Sequence, residues 1–119
     1  MNDRRRTVLV TGASGFVGRH VVPELAQNDW LVRRAVRTLP LDANDVAIGS
    51  LSPATDWRAA LEGVDAVVHL AARVHQQSDE QAIELYRNVN IEGTLHLARS
   101  AVAAGVRDFV FVSTILVHG

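Results

Sequence analysis

The chain has 119 residues, 48% of them hydrophobic, and a formal net charge of −1. This is enough for one domain with a well-filled core, and the charge gives no electrostatic case for binding nucleic acid or a membrane surface. No cysteine occurs, which excludes disulfides, thiolate metal sites and a cysteine nucleophile. No apolar stretch approaches the roughly 20 residues of a membrane span, and the run Val8 to Val10 is too short for a signal-peptide core, so a cytoplasmic protein is expected. The basic run Arg4-Arg5-Arg6 reads as a solvated chain end.

Thr7 to Thr11 is a β-branched run that meets a glycine turn, and it predicts a buried strand. From about Gly15 to Gln27, apolar residues at Phe16, Val17, Val21, Val22, Leu25 and Ala26 recur at helical spacing. Pro23 falls inside that helix and is expected to kink or weaken it. Leu31 to Val36 predicts a second strand, interrupted by arginines, and Asp45 to Ile48 a short third. Thr55 to Leu61 predicts a short helix capped near Ser52 or Thr55, with Gly63 as its stop.

Ala66 to Ala72 is nearly continuous in apolar residues, the mark of a strand covered on both faces. Glu80 to Ala104 fits a long helix with Gly105 as its C-terminal cap, and Phe109 to Ser113 a fifth strand. Strands and helices alternate throughout. The expected fold is α/β, a Rossmann-type parallel sheet of five strands in order 3-2-1-4-5 with helices on both faces.

The segment TGASGFVG links the first strand to the first helix, with Gly12, Gly15 and Gly18 spaced by threes. A glycine turn opening a helix is a phosphate site, because the first-turn N–H groups are unpaired and carry partial positive charge. The spacing differs from G-x-G-x-x-G, and without the P-loop lysine ATP hydrolysis is a poor reading. The histidines His20, His69, His75, His96 and His118 show no metal-ligand spacing, so no metal site is expected.

TGASGFVG resembles the T-G-x-x-G-x-x-G motif of the extended short-chain dehydrogenase/reductase family, in its NAD-dependent epimerase/dehydratase group. His69-Leu70-Ala71-Ala72 is similar to the family's H-x-A-A segment. Asn88-Val89-Asn90-Ile91-Glu92-Gly93-Thr94 is similar to its N-V-x-G-T motif, and Phe111 through Gly119 to its V-F-x-S-S-x-x-V-Y-G segment. Four motifs in order cover the whole chain. The resemblance implies an NAD or NADP site in which Gly12, Gly15, Phe16, Val17 and Gly18 surround the pyrophosphate. Leu70, Ala71 and Ala72 would line the nicotinamide side, and Asn90 would support the site from the long helix. Thr114 falls on the family's catalytic Ser/Thr position, where its hydroxyl would hydrogen-bond the reacting oxygen of the sugar. His69 is expected to be a strand residue beside the cofactor pocket.

The tip of the second strand reads the adenosine ribose, by an acidic residue for NAD or an arginine for NADP. The chain has Arg37 there, which physically favours NADP, whereas sugar epimerases of the family generally hold NAD. The choice stays open. Gly49-Ser50-Leu51 stands where the family usually has G-D-[LIV]. Ser50 would weaken the adenine contact, and Leu51 could still pack on the ring. His118 replaces the usual tyrosine.

The family's general acid/base pair is Tyr-x-x-x-Lys. The only tyrosine here is Tyr86, four residues before Asn90, and there is no lysine. The expectation is therefore the N-terminal, cofactor-binding part of a nucleotide-sugar 4-epimerase (UDP-glucose 4-epimerase-like), cut before the catalytic pair and the substrate domain and inactive alone. The alternatives are an NADPH-dependent reductase of the same family, or a non-catalytic dinucleotide-sensing domain. An open edge at the fifth strand predicts association of copies, through that edge or through the long helix.

Overall fold

A computed structural model describes residues 5–13, 15–40, 43–75 and 80–117; for residues 16, 71–75, 80–90 and 113–117 the description is of the backbone alone. Five parallel strands form one sheet, β1 (Thr7–Thr11), β2 (Leu31–Val36), β3 (Val46–Ala47), β4 (Ala66–His75) and β5 (Asp108–Val117), in spatial order β3-β2-β1-β4-β5. Three helices connect them, α1 (Phe16–Gln27), α2 (Arg58–Leu61) and α3 (Glu80–Ala103). The expected fold and strand order are those observed.

β1 sits in the middle because all five of its residues are buried. It pairs with β2 from Thr7↔Leu31 to Thr11↔Ala35, and with β4 from Val8↔Ala66 to Thr11↔His69. Alternation then sorts its side chains by face. Val8 and Val10 join Ala66 and Leu70 in a cluster packed by Val17, Val22 and Leu25 of α1. Leu9 joins Val67, Trp57, Leu61, Leu97 and Ala101 on the opposite face, under α2 and α3. Leu9, Val67 and Leu97 are fully buried, each worth roughly 1.5–3 kcal/mol of apolar burial.

The arginines of β2 are placed by the same alternation. Arg33 reaches toward α2 and donates from Nη1 to the carbonyls of Ala60 (2.8 Å) and Glu62 (2.7 Å), capping the end of that helix. Arg34, on the other face, grips Asp45 with two bonds, Nε to Oδ1 at 2.8 Å and Nη2 to Oδ2 at 2.6 Å. Asp45 is all but sealed, with 1% of its side chain exposed. The pair ties the start of the short β3 to the sheet.

α1 is a single helix through Pro23, which is exposed, so the N–H that proline lacks is missing on the solvated side. The helix ends with Trp30 N–H donating to Leu25 O (3.1 Å), across Asp29 at φ 67°. α3 ends in the same six-to-one pattern, Val106 N–H to Ala101 O at 3.0 Å, across Gly105 at φ 84°, so the expected glycine cap is present.

Two elements are shorter than their spacing predicts. β3 is Val46–Ala47 and α2 begins at Arg58 after Trp57, with no side-chain cap. Ser52 and Thr55 build a separate turn instead. Thr55 Oγ1 accepts from Ser52 N–H (2.9 Å) and donates to Ser50 O (3.0 Å). That closed loop uses the hydroxyl that would otherwise cap the helix.

β5 pairs with β4 from Ala66↔Asp108 to His75↔Val117 and stands at the edge of the sheet, with Val110 and Phe111 about half exposed. Among the described residues no helix is long and apolar enough to cross a membrane.

Candidate dinucleotide site

In a parallel sheet every strand ends on the same side, and the segments singled out by sequence converge there. The loop of Gly12, Gly15 and Gly18 leaves β1. Arg37 follows β2, Ser50 and Leu51 follow β3, and Leu70 to Ala72 lie at the middle of β4, just beyond the rung where β1 ends at Thr11↔His69. Strand order reverses between β1 and β4, and this is where an open α/β sheet forms its ligand crevice.

The three glycines do different work. Gly12 has φ 70°, and a Cβ there would lie 2.3 Å from the carbonyl oxygen of Leu70. A Cβ on Gly18 would lie 2.4 Å from the carbonyl oxygen of Ala13. Both glycines are demanded by the packing of the loop against β4 and of α1 against the loop. Gly15 is not. Its φ is −76°, it is exposed, and the nearest atom to an added Cβ is Gly12 O at 3.4 Å, an ordinary contact. Among the described residues, nothing else comes within 4 Å of the place a side chain would take, over the start of α1.

The start of α1 is also unsatisfied. Its hydrogen-bond ladder begins with Arg19 N–H to Gly15 O at 3.0 Å, which leaves the N–H groups of Phe16, Val17 and Gly18 without an intrahelical acceptor. Gly15 supplies no side-chain cap and the first turn has no acidic residue. An uncapped helix end, beneath a glycine with open space in front of it, fits a phosphate anion, and so fits the pyrophosphate of a dinucleotide.

His69 lies under the loop and is 1% exposed. Thr11 Oγ1 accepts from Leu70 N–H (3.2 Å) and is hydrogen-bonded to His69 Nδ1. His69 Nε2 meets Thr94 Oγ1 at 2.9 Å, and its ring stacks on Phe111 with centroids 5.4 Å apart. The polarity that gives the buried Thr11 hydroxyl an acceptor runs from Leu70 N–H to Thr11, from the Thr11 hydroxyl to Nδ1, and from Nε2–H to Thr94, whose own hydroxyl is only half-buried. This is a neutral imidazole. Burial agrees, pushing the His69 pKa down from 6.5 to about 4. His69 therefore fastens β1, β4 and α3 together beneath the cofactor loop, and among the described residues no cluster could hold a metal.

Leu51 is half-buried against the core under α3, and a Cβ on Gly93 would come within 3.2 Å of its Cγ. Gly93 thus lets α3 lie close to the segment after β3. Thr114 lies in β5 level with Ala72, three residues beyond the rung where β1 ends at Thr11↔His69. Asn90 lies in α3, four residues before Thr94. The side chains of Phe16, Ala71, Ala72, Asn90 and Thr114, and all of His118, lie outside the description. Thr11, Gly93 and Thr94 are site residues that the sequence pattern assigns no role. Their partners are 58, 42 and 25 positions away, and only the fact that each falls inside a motif could have flagged them.

Residues 8–119 match the profile of the NAD dependent epimerase/dehydratase family. UDP-glucose 4-epimerase of Vibrio cholerae is 38% identical over 125 residues, an alignment that covers 98% of this chain and 38% of that protein. A short-chain dehydrogenase/reductase superfamily protein from Agrobacterium tumefaciens, solved with bound NAD, is 38% identical with TM-score 0.67, over 89% of this chain and 32% of that one. MoeE5, solved in complex with UDP-glucose and NAD, is 30% identical with TM-score 0.70, over 88% of this chain and 35% of that one. The chain thus spans between 32% and 38% of the length of these relatives. With its motifs, fold and glycine loop in agreement over nearly its whole length, the chain belongs to the NAD dependent epimerase/dehydratase family.

Proposed function

We propose that this chain holds NAD or NADP across the C-terminal edge of its sheet, as the cofactor-binding part of a nucleotide-sugar 4-epimerase. The observation that carries the reading is Gly15, whose lack of a side chain is not required by the fold and leaves the bare start of α1 open to an anion. The N–H groups of Phe16, Val17 and Gly18 would hold the pyrophosphate. Leu70, Ala71 and Ala72 would flank the nicotinamide, Ser50 and Leu51 the adenine, and Asn90 would brace the site from α3. When bound, the nicotinamide supplies reversible hydride exchange with a sugar carbon. The Thr114 hydroxyl would hold the reacting oxygen by a hydrogen bond. A nucleotide sugar as substrate is supported by the Vibrio cholerae relative and by the UDP-glucose bound to MoeE5.

No Tyr-x-x-x-Lys pair occurs in the 119 residues, so the reading assigns these residues cofactor binding and no general acid/base role. A carbonyl reductase of the same family is the second reading, and Arg37 at the end of β2 favours it. Calorimetric titration of the chain with NAD and with NADP tests the proposal. At least one dinucleotide should bind, and Gly15→Ala should weaken binding roughly tenfold or more while leaving the melting temperature unchanged or higher. Gly15→Ala binding as tightly as the parent would overturn the pyrophosphate assignment.

A further inference from the structure

A cavity of about 730 Å³ lies between the segment around α2 and the C-terminal half of α3, and none of the residues assigned to the dinucleotide lines it. Gly63, in its wall, leads into β4, and Ala104 leads into β5. The cavity therefore sits toward the end of the sheet where the strands begin, opposite the glycine loop. Trp57 lines it and is 2% exposed, and the indole Nε1 is buried with no hydrogen-bond partner. The buried cluster to which Trp57 belongs, with Leu9, Leu61, Leu97 and Ala101, offers no side-chain acceptor. A donor buried in this way gives up its water and gains nothing in return.

His96, in the same wall, has the opposite lack. Its Nε2 lies 2.8 Å from the Thr55 carbonyl, which can only accept. In the neutral ring Nε2 therefore holds the proton, and Nδ1 keeps a lone pair with no partner among the described residues. Of the charged residues in the lining, Asp56 and Arg58 pair with each other at 2.8 Å. The Glu62 carboxylate has no side-chain partner among the described residues, so the lining has no spare cation to hold an anion. We infer that this cavity binds a small uncharged compound that presents an amide edge, a carbonyl oxygen beside an N–H. The carbonyl accepts from Trp57 Nε1–H, and the N–H donates to His96 Nδ1. Nε1 is covered in the free chain, so entry shifts the indole or its cover slightly, and pairing of the orphaned donor favours that shift. The inference goes beyond the dinucleotide reading and does not depend on it.

The test uses δ-valerolactam, a ring amide with that edge, titrated into the isotope-labelled chain and followed by NMR at the two indole N–H signals, those of Trp30 and Trp57. Trp30→Phe assigns them. The Trp57 signal should move saturably, with a dissociation constant in the millimolar range expected for so few atoms, while Trp30 stays in place. N-methyl-δ-valerolactam lacks the N–H and should bind roughly tenfold more weakly. Trp57→Phe, which keeps an aromatic ring and loses the donor, should weaken the parent lactam by roughly fivefold to tenfold. A Trp57 signal that does not move, or moves only as Trp30 does, would overturn the inference. Equal binding of the two lactams would overturn it too, as would a folded Trp57→Phe that binds δ-valerolactam as tightly as the parent. Should Trp57→Phe fail to fold, the two lactams compared on the parent chain decide the matter.

Discussion

Acid should destabilise this protein through the buried His69. In the folded chain it is neutral between Thr11 and Thr94, with burial holding its pKa near 4 instead of 6.5. The unfolded chain therefore binds more protons between those two values. The stabilisation from a neutral buried imidazole is complete above pH 6.5, declines as the pH falls below it, and is exhausted near pH 4. The shift corresponds to at most about 3 kcal/mol, of which about 2 kcal/mol is lost between pH 8 and pH 5. Urea unfolding across this range should show the midpoint falling by on the order of 1 M. His69→Gln should start less stable, because it loses the ring stacked on Phe111, but its midpoint should hardly change with pH. If the parent and His69→Gln lose the same stability between pH 8 and pH 5, the assignment of a buried neutral His69 is wrong.

Gly12→Ala should cost at least about 3 kcal/mol in unfolding experiments, combining a left-handed backbone with a Cβ driven into the Leu70 carbonyl, in contrast to the near-neutral Gly15→Ala. Arg34→Leu should cost about 3–5 kcal/mol by stranding the buried Asp45 carboxylate, and Arg34→Leu combined with Asp45→Leu should recover much of the loss in a denaturation series. Asp29→Gly should raise the melting temperature, gaining about 0.5–1 kcal/mol by relieving the positive φ that ends α1; a drop would show that the aspartate side chain stabilises that turn.

Most of the architecture was legible in the chain itself. β1, β4 and β5 are apolar runs and α1 is periodic, while Gly63 and Gly105 stop their helices through local backbone needs. Such signals depend on neighbours within a few residues. Strand order follows from them, because alternating strands and helices leave few right-handed arrangements. The glycine loop was legible for the same reason, since strand, turn and helix are contiguous. The start of α2 was not, because the Thr55 hydroxyl had two uses of comparable local merit, and the turn through Ser50 and Ser52 took it.

What only the tertiary structure decided concerns groups whose partners are distant in sequence. Spacing makes Gly12, Gly15 and Gly18 look equivalent, yet two are forced by contacts with Leu70 and Ala13 and one is free. The three arginines around β2 look alike until α2 and Asp45 claim two of them. His69 could have been a base, a ligand or a strand residue, and its neutrality comes from Thr11 on β1 and Thr94 on α3 closing over it. Local sequence determines backbone conformation and its period, whereas the solvation and partners of a polar side chain depend on which distant segments the fold brings against it.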